Sequence, residues 1–410
     1  MKNSESFEPS LYKPDGRKII LYGAGIYGEY AMRALERLNI KADLFCDRAK
    51  YSTEFCGIPV ISPDQLPEHE GAHVIICACS HFREIELILQ KLDNIKYYDM
   101  IPLFGIISPQ DLKEFHAMTY YENDFFKDQY IMEIDGNNKD NEILITTVNL
   151  HITERCTLNC GSCAEMMPYY SQPKDLDITM LISALEKYLQ CVDELPIVAI
   201  QGGETFMHKE LHRLVDFCCK EPKIRQVSLT TNGTIVPTGD NFECLKNHKI
   251  TVRVNDYINS SRNIDALSEK LKSGNIRFSV ASYEDSVWFD IGGLDKRDYT
   301  NEQVREVFKT CMFKNDIGIM NGRLYRCARS RAGINLKAIP DCKWEYVNLV
   351  DDSSIEETKK SIKKMLKRSY LNSCYYCNSP IYDNVEIKSG LQVKGIIPYK
   401  ITDEVIENEI

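Results

Sequence analysis

Short apolar runs of strand length alternate with stretches whose apolar residues recur at helical spacing, a pattern that predicts an α/β chain built on parallel sheets. Near the start, residues 18–22, 42–46, 73–79 and 96–100 predict strands. One helix follows Gly28, with Tyr30, Ala34, Leu35 and Leu38 on its apolar side, and another is predicted over 82–92. Residues 106–144 turn polar and aromatic, with Tyr120, Tyr121, Phe125 and Phe126 among charges and a turn signal at Asp135-Gly136-Asn137-Asn138. They predict a connector with some helix and a domain boundary. The alternation resumes with strands at 145–152, 197–200, 226–230, 250–254 and 276–280. Asp177 can cap a helix carrying Leu181, Ile182, Leu185, Leu189 and Val192, and a later helix places Leu211, Leu214, Val215 and Cys218 on one face. Ile317-Gly318-Ile319-Met320 and Arg323-Leu324-Tyr325 flank Asn321-Gly322, a strong hairpin signal. Residues 353–369 read as a charged helix burying Ile355, Ile362, Met365 and Leu366, and 381–410 form a tail with strand-like runs and no legible role.

The 410 residues exceed one ordinary core and predict two or three domains. A net charge of -10 with no basic stripe argues against a nucleic-acid-binding body. The first eighteen residues lack the apolar core of a signal peptide and no run approaches a membrane span, so a cytoplasmic protein without membrane partners is expected. In a reducing compartment, sixteen cysteines are better explained by metal binding plus buried thiols than by disulfides. Cys46, Cys56, Cys77 and Cys79 fit buried inert thiols, as does Cys218; Cys191 and Cys219 have no metal spacing.

The densest chemistry follows the strand at 145–152, where Cys156, Cys160 and Cys163 are spaced CxxxCxxC. Three thiolates are one ligand too few for a cubane cluster and leave an iron open, although a zinc or plain thiol cluster has the same cysteines. Gly202-Gly203-Glu204 directly follows the next strand, and glycines there permit close approach of the backbone to a ligand. Together these residues resemble the radical S-adenosylmethionine (SAM) enzymes. The resemblance implies a four-iron four-sulfur cluster on Cys156, Cys160 and Cys163, and SAM bound at its free iron with Gly202, Gly203 and Glu204 beside the methionyl amine. It further implies a partial (β/α)6 barrel over 145–310 and ligands at one rim, which adds Asn232 and Asn255, with Arg253 beside them. One departure is Ser162, where the family usually has an aromatic residue near the adenine.

A second set follows. Cys311 and Cys327 lie on either side of the predicted hairpin, and Cys374-Tyr375-Tyr376-Cys377 brings the thiolates to four, a count that zinc would also satisfy. In the setting of the first motif this set resembles the twitch extension, the shorter relative of the SPASM domain, over 311–380, and implies a second four-iron four-sulfur cluster. Cys342 is an alternative ligand without a partner at metal spacing.

Gly23, Gly25 and Gly28 form GxGxxG between a strand and a helix, and Asp47 ends the next strand, which is the dinucleotide fingerprint in its required context. Residues 1–105 therefore read as a Rossmann-like domain, similar to those attached to sugar-modifying enzymes, that binds a nucleotide or only docks.

The expected activity is radical chemistry on a hydroxylated carbon of a sugar or nucleotide-linked sugar (oxidation, dehydration or epimerisation), with electrons from a flavodoxin- or ferredoxin-type donor. A peptide maturase and a non-catalytic iron–sulfur sensor are the alternatives. Tyr169, Tyr170, Arg253 and Asp290 are candidates for the group that completes the reaction.

Overall fold

The computed structural model describes residues 5–6, 16–78, 81–92, 94–107, 112, 130, 143, 145, 147–193, 195–258, 260–284, 287–311, 313–378 and 385–407. The chain divides into two compact units, Met1–Leu144 and Ile145–Ile410. Cys79 and most of the aromatic connector lie outside the described residues.

In the first unit, β1 (Glu5–Ser6), β2 (Ile19–Tyr22), β3 (Leu44–Cys46), β4 (Glu54–Phe55), β5 (Ile58–Ile61), β6 (His73–Ile76) and β7 (Lys96–Asp99) form a sheet ordered β1-β7-β6-β2-β3-β5-β4. Its pairings are parallel except in the β4–β5 hairpin. The runs Ile19-Ile20-Leu21 and Val74-Ile75-Ile76 are buried throughout, as a parallel sheet with both faces covered requires. The helix Ile26–Arg37 buries Tyr30, Ala34 and Leu35. Leu38, expected on that face, is 38% exposed because the helix ends there and Asn39 takes a left-handed conformation. Cys56, expected buried, is exposed in the turn between β4 and β5.

In the second unit, β8 (Thr147–His151), β9 (Leu195–Gln201), β10 (Ile224–Thr231), β11 (Ile250–Asp256) and β12 (Phe278–Ser282) are mutually parallel. They are linked by helices at Ile178–Cys191, Leu211–Lys220 and Ile264–Ser273. Asp177 caps the first of these, accepting from the N–H of Thr179 at 2.8 Å. A two-stranded antiparallel sheet, β13 (Val287–Phe289) with β18 (Glu386–Lys388), lies apart from the main sheet. The strands β14 (Gly318–Met320), β15 (Arg323–Tyr325) and β17 (Tyr346–Asn348) extend that sheet, giving the order β12-β11-β10-β9-β8-β14-β15-β17. Asn321 and Gly322 both have positive φ, the geometry of a two-residue hairpin turn. Because β14 pairs in parallel with β8, the sheet passes without a break across residue 311, where sequence placed a domain border. The strand β16 (Asp341–Cys342) pairs in parallel with β19 (Val405–Ile406) from the end of the chain. Among the described residues, no helix is long and apolar enough to cross a membrane.

Candidate functional site

Parallel strands present their loops at one edge, and the residues leaving β8, β9 and β10 converge there with the end of β11. A cavity of about 260 Å³ is bordered by Cys156, Cys160 and Cys163, by Gly202 and Gly203, and by Asn232 and Asn255. The cysteine loop is held against the turn after β9 by backbone bonds from Gly203 N to Thr153 O and from Glu204 N to Arg155 O, both 2.8 Å. A Cβ on Gly203 would lie 2.3 Å from Arg155 O and 2.8 Å from Cys156 Cβ, and one on Gly202 would lie 2.8 Å from Thr153 O. The glycines are thus required by close packing of the cysteine loop itself, a different reason from the ligand approach expected. Glu204 departs further from expectation. Its carboxylate is fully buried and accepts from Phe206 N at 3.0 Å, Thr231 Oγ1 at 2.8 Å and Asn232 N at 2.8 Å, tying two strand ends together. Burial pushes its pKa up, with those three donors opposing.

Burial also raises the three thiols, Cys156 and Cys163 to about 12. Donors aimed at sulfur work the other way: Leu158 N at 3.4 Å and Asn232 Nδ2 at 3.6 Å on Cys156, and Gln392 Nε2 at 3.0 Å on Cys160. Such a shell suits thiolates bound to a metal group. In the second set, Cys327 and Cys374 pack against the same apolar cluster, and burial raises both thiols, with Cys311 and Cys377 adding to the first and Cys327 and Cys377 to the second. Phe313 N donates to Cys311 Sγ at 3.3 Å. Cys342 sits in an apolar cluster with Trp344, Tyr370 and Leu371, and its charged neighbours are Glu345, Asp341, Arg368 and Glu404. Among the described residues, no three His, Cys, Asp or Glu side chains converge closely enough to hold a single metal ion. Both cysteine sets are more open than a one-ion site.

The cavity wall holds groups that sequence reasoning missed: Glu165, Gln201, Met167, Tyr257 and Trp288. Tyr257 and Trp288 meet edge to face at 5.6 Å and supply the aromatic surface that Ser162 does not. Glu165 is the centre of a buried charge cluster. Arg331, fully buried, places Nη2 2.5 Å from Glu165 Oε1 and 3.6 Å from Asp316 Oδ2, and Gln201 Nε2 donates to Glu165 Oε1 at 3.2 Å. Burial pushes the Glu165 carboxyl up, but Arg331, by its charge and its hydrogen bond, and His151 together hold the pKa below its ordinary value. His151 Nδ1 lies 3.2 Å from Glu165 Oε2, and burial holds its pKa down to about 4 against the pull of that carboxylate. Glu165 Oε2 and His151 Nδ1 are both buried and, apart from this approach to each other, have no hydrogen-bond partner among the described residues. Room for Arg331 comes from Gly318, where a Cβ would strike its guanidinium.

The four residues suggested by strand ends do not join this wall. Arg253 is exposed, Asp290 accepts from Gly292 N, Tyr170 accepts from Asn335, and Tyr169 packs on Tyr399. In the first unit, Gly23 has φ +120 and lies against Ala78, and a Cβ on Gly28 would meet Gly23 O. Gly25 begins the helix with open space beside it. Asp47, expected to reach a ribose, instead accepts from the backbone of Ala24, Ala49 and Lys50, and Lys50 Nζ donates to Ala24 O.

No family model matches the chain. By sequence it is similar to the antilisterial bacteriocin subtilosin biosynthesis protein AlbA of Bacillus subtilis, 27% identical over 169 residues, 37% of this chain and 35% of that protein. It is also similar to the GTP 3′,8-cyclase of Clostridium acetobutylicum, 28% identical over 95 residues, 23% of this chain and 29% of that one. Those stretches cover about a third or less of each relative. The crystal structure of BtrN in complex with AdoMet and 2-DOIA is matched over 62% of this chain and all of that one, with 16% identity and a TM-score of 0.39. The similarity is to enzymes of the radical SAM superfamily.

Proposed function

We propose that the chain is a radical SAM enzyme that oxidises a hydroxylated carbon of a sugar or nucleotide-linked sugar. The observation that carries this reading is the cavity in which three thiols meet Glu165, a carboxylate that the buried Arg331 keeps ionised. Cys156, Cys160 and Cys163 would hold one four-iron four-sulfur cluster, and Cys311, Cys327, Cys374 and Cys377 a second. With SAM bound, the first cluster supplies a 5′-deoxyadenosyl radical, the second supplies one-electron exchange, and a flavodoxin- or ferredoxin-type partner supplies electrons.

The protein's own part is positioning and proton handling. Gly202 and Gly203 bring the backbone to the cavity edge, Asn232 and Asn255 add amides, and Tyr257 with Trp288 offers the adenine an aromatic wall. Glu165, on the cavity wall and kept ionised by Arg331, is the carboxylate that takes the substrate hydroxyl proton. A base that is ionised before reaction favours oxidation over epimerisation, which needs a hydrogen donor on the opposite face.

Peptide maturation is the second reading, favoured by the likeness to the subtilosin protein. Against it, the first unit is a parallel sheet rather than the winged helix that binds leader peptides in such enzymes. Anaerobic reconstitution with SAM and a panel of sugars deuterated at single carbinol carbons separates the two. Deuterium from one sugar carbon in 5′-deoxyadenosine is expected, whereas transfer only from a peptide would replace the sugar reading with the maturase.

A further inference from the structure

The C-terminal segment, silent in the sequence, runs across the cysteine loop. Cys160 and Gln392 form an antiparallel bridge, Gly161 N donates to Leu391 O at 2.9 Å, and Val393 N donates to Asn159 O at 2.8 Å. Asn159 Nδ2 donates to Val393 O at 2.9 Å and to Gly395 O at 2.8 Å. Gly161 must lack a side chain because a Cβ there would lie 2.7 Å from Val393 Cγ1. On one side the segment is anchored by β18 on β13, with Gly390 against Tyr257; on the other, Ile397 N donates to Pro168 O at 2.9 Å. Two elements distant in sequence are therefore joined residue by residue at the middle cysteine.

Gln392 is the polar centre of that joint. Its Oε1 accepts from Asn159 N at 2.6 Å, which fixes the amide orientation and turns Nε2 towards two acceptors, Gly390 O at 2.7 Å and Cys160 Sγ at 3.0 Å. We propose that Gln392 is a positioning residue for the group held by Cys156, Cys160 and Cys163, donating a hydrogen bond to the Cys160 thiolate from a strap that completes the site. The proposal rests on the reading that these cysteines hold an iron–sulfur cluster. A hydrogen bond to a ligand sulfur draws charge from the cluster and stabilises its reduced, more negative state, so removing it makes reduction harder.

Gln392 is exposed on its outer flank, so Gln392→Leu, which keeps bulk without donor or acceptor, is compatible with folding. The full chain is reconstituted anaerobically as wild type, Gln392→Leu and Leu391→Ala, the last altering an exposed neighbour on the same strap. Iron content, and the midpoint potential of the electron paramagnetic resonance signal that responds to SAM, are then measured. Gln392→Leu is expected to keep its iron and shift that midpoint to more negative potential, with faster cluster loss to a chelator, while Leu391→Ala matches wild type. Wild-type midpoint and loss rate in Gln392→Leu would overturn the proposal. Wild-type protein with no SAM-responsive signal would instead overturn the cluster reading beneath it.

Discussion

The glycine loops of the two units share a pattern in sequence, small residues at a strand end and an acid nearby, and they share its first consequence. Asp47 closes on the backbone of Ala24, Ala49 and Lys50, and Glu204 closes on Phe206, Thr231 and Asn232, so in both the acid stitches the chain to itself. They differ in what is left over. Beside Gly23 and Gly25, Lys50 takes up Ala24 O and Asp47 accepts three backbone N–H groups. Beside Gly202 and Gly203 lie three thiols, two of them with side-chain donors aimed at sulfur, and the Glu165 carboxylate that Arg331 keeps ionised. Glycines and acids report close packing in both places; the thiols and the charged carboxylate gathered on one cavity report chemistry.

The sharpest break between the loops comes from the metal ligands. Two clusters correspond to about eight irons, and replacing Cys156, Cys160 and Cys163 with Ala should remove about half, by iron and sulfide analysis, while Gly25→Val leaves the iron unchanged. Zinc in the Cys311 set would leave the first cluster standing and remove the second. Glu165→Gln should lower product formation by roughly 10²–10⁴-fold with SAM cleavage retained, read by quantifying product and 5′-deoxyadenosine separately. Equal loss of both would mean that Glu165 shapes the SAM site instead.

Smaller effects test the packing argument. Gly203→Ala puts a Cβ into Arg155 and should destabilise the second unit by about 1–3 kcal/mol, whereas Gly25→Ala, beside open space, should change stability by less than about 1 kcal/mol in denaturant titrations. A pH effect follows from His151, whose pKa of about 4 lies below the ordinary 6.5 because burial opposes its charge. The unfolded chain binds a proton that the folded chain refuses, so this contribution is complete above pH 6.5 and is lost as pH falls towards 4. It amounts to about 3 kcal/mol by the lower limit. Melting curves should show the decline in wild type and a shallower one in His151→Gln.

Local order was readable wherever period and turn chemistry agreed. Asp177 caps its helix, Asn321-Gly322 turns its hairpin, and the parallel strands follow the apolar runs. The three thiols and two glycines on one cavity follow from their places after consecutive parallel strands. What escaped depends on distant pairings that no periodicity encodes. Arg331 reaches Glu165 only because β14 joins β8, and Gln392 reaches Cys160 only because the tail doubles back. A signal for the first did exist: Arg326, Arg329 and Arg331 crowd one short stretch, and all three are buried. Arginine at that density beside a cysteine called for buried partners, as Arg329 has in four backbone carbonyls.

The central claim is that the cavity at Cys156, Cys160 and Cys163 cleaves SAM, and 5′-deoxyadenosine measured by mass spectrometry after anaerobic reduction tests it most directly. The account predicts 5′-deoxyadenosine from the reconstituted wild-type chain and none from the triple alanine variant of those cysteines. Its absence from a wild-type chain that carries the full iron complement, or equal yields from both proteins, would contradict the account.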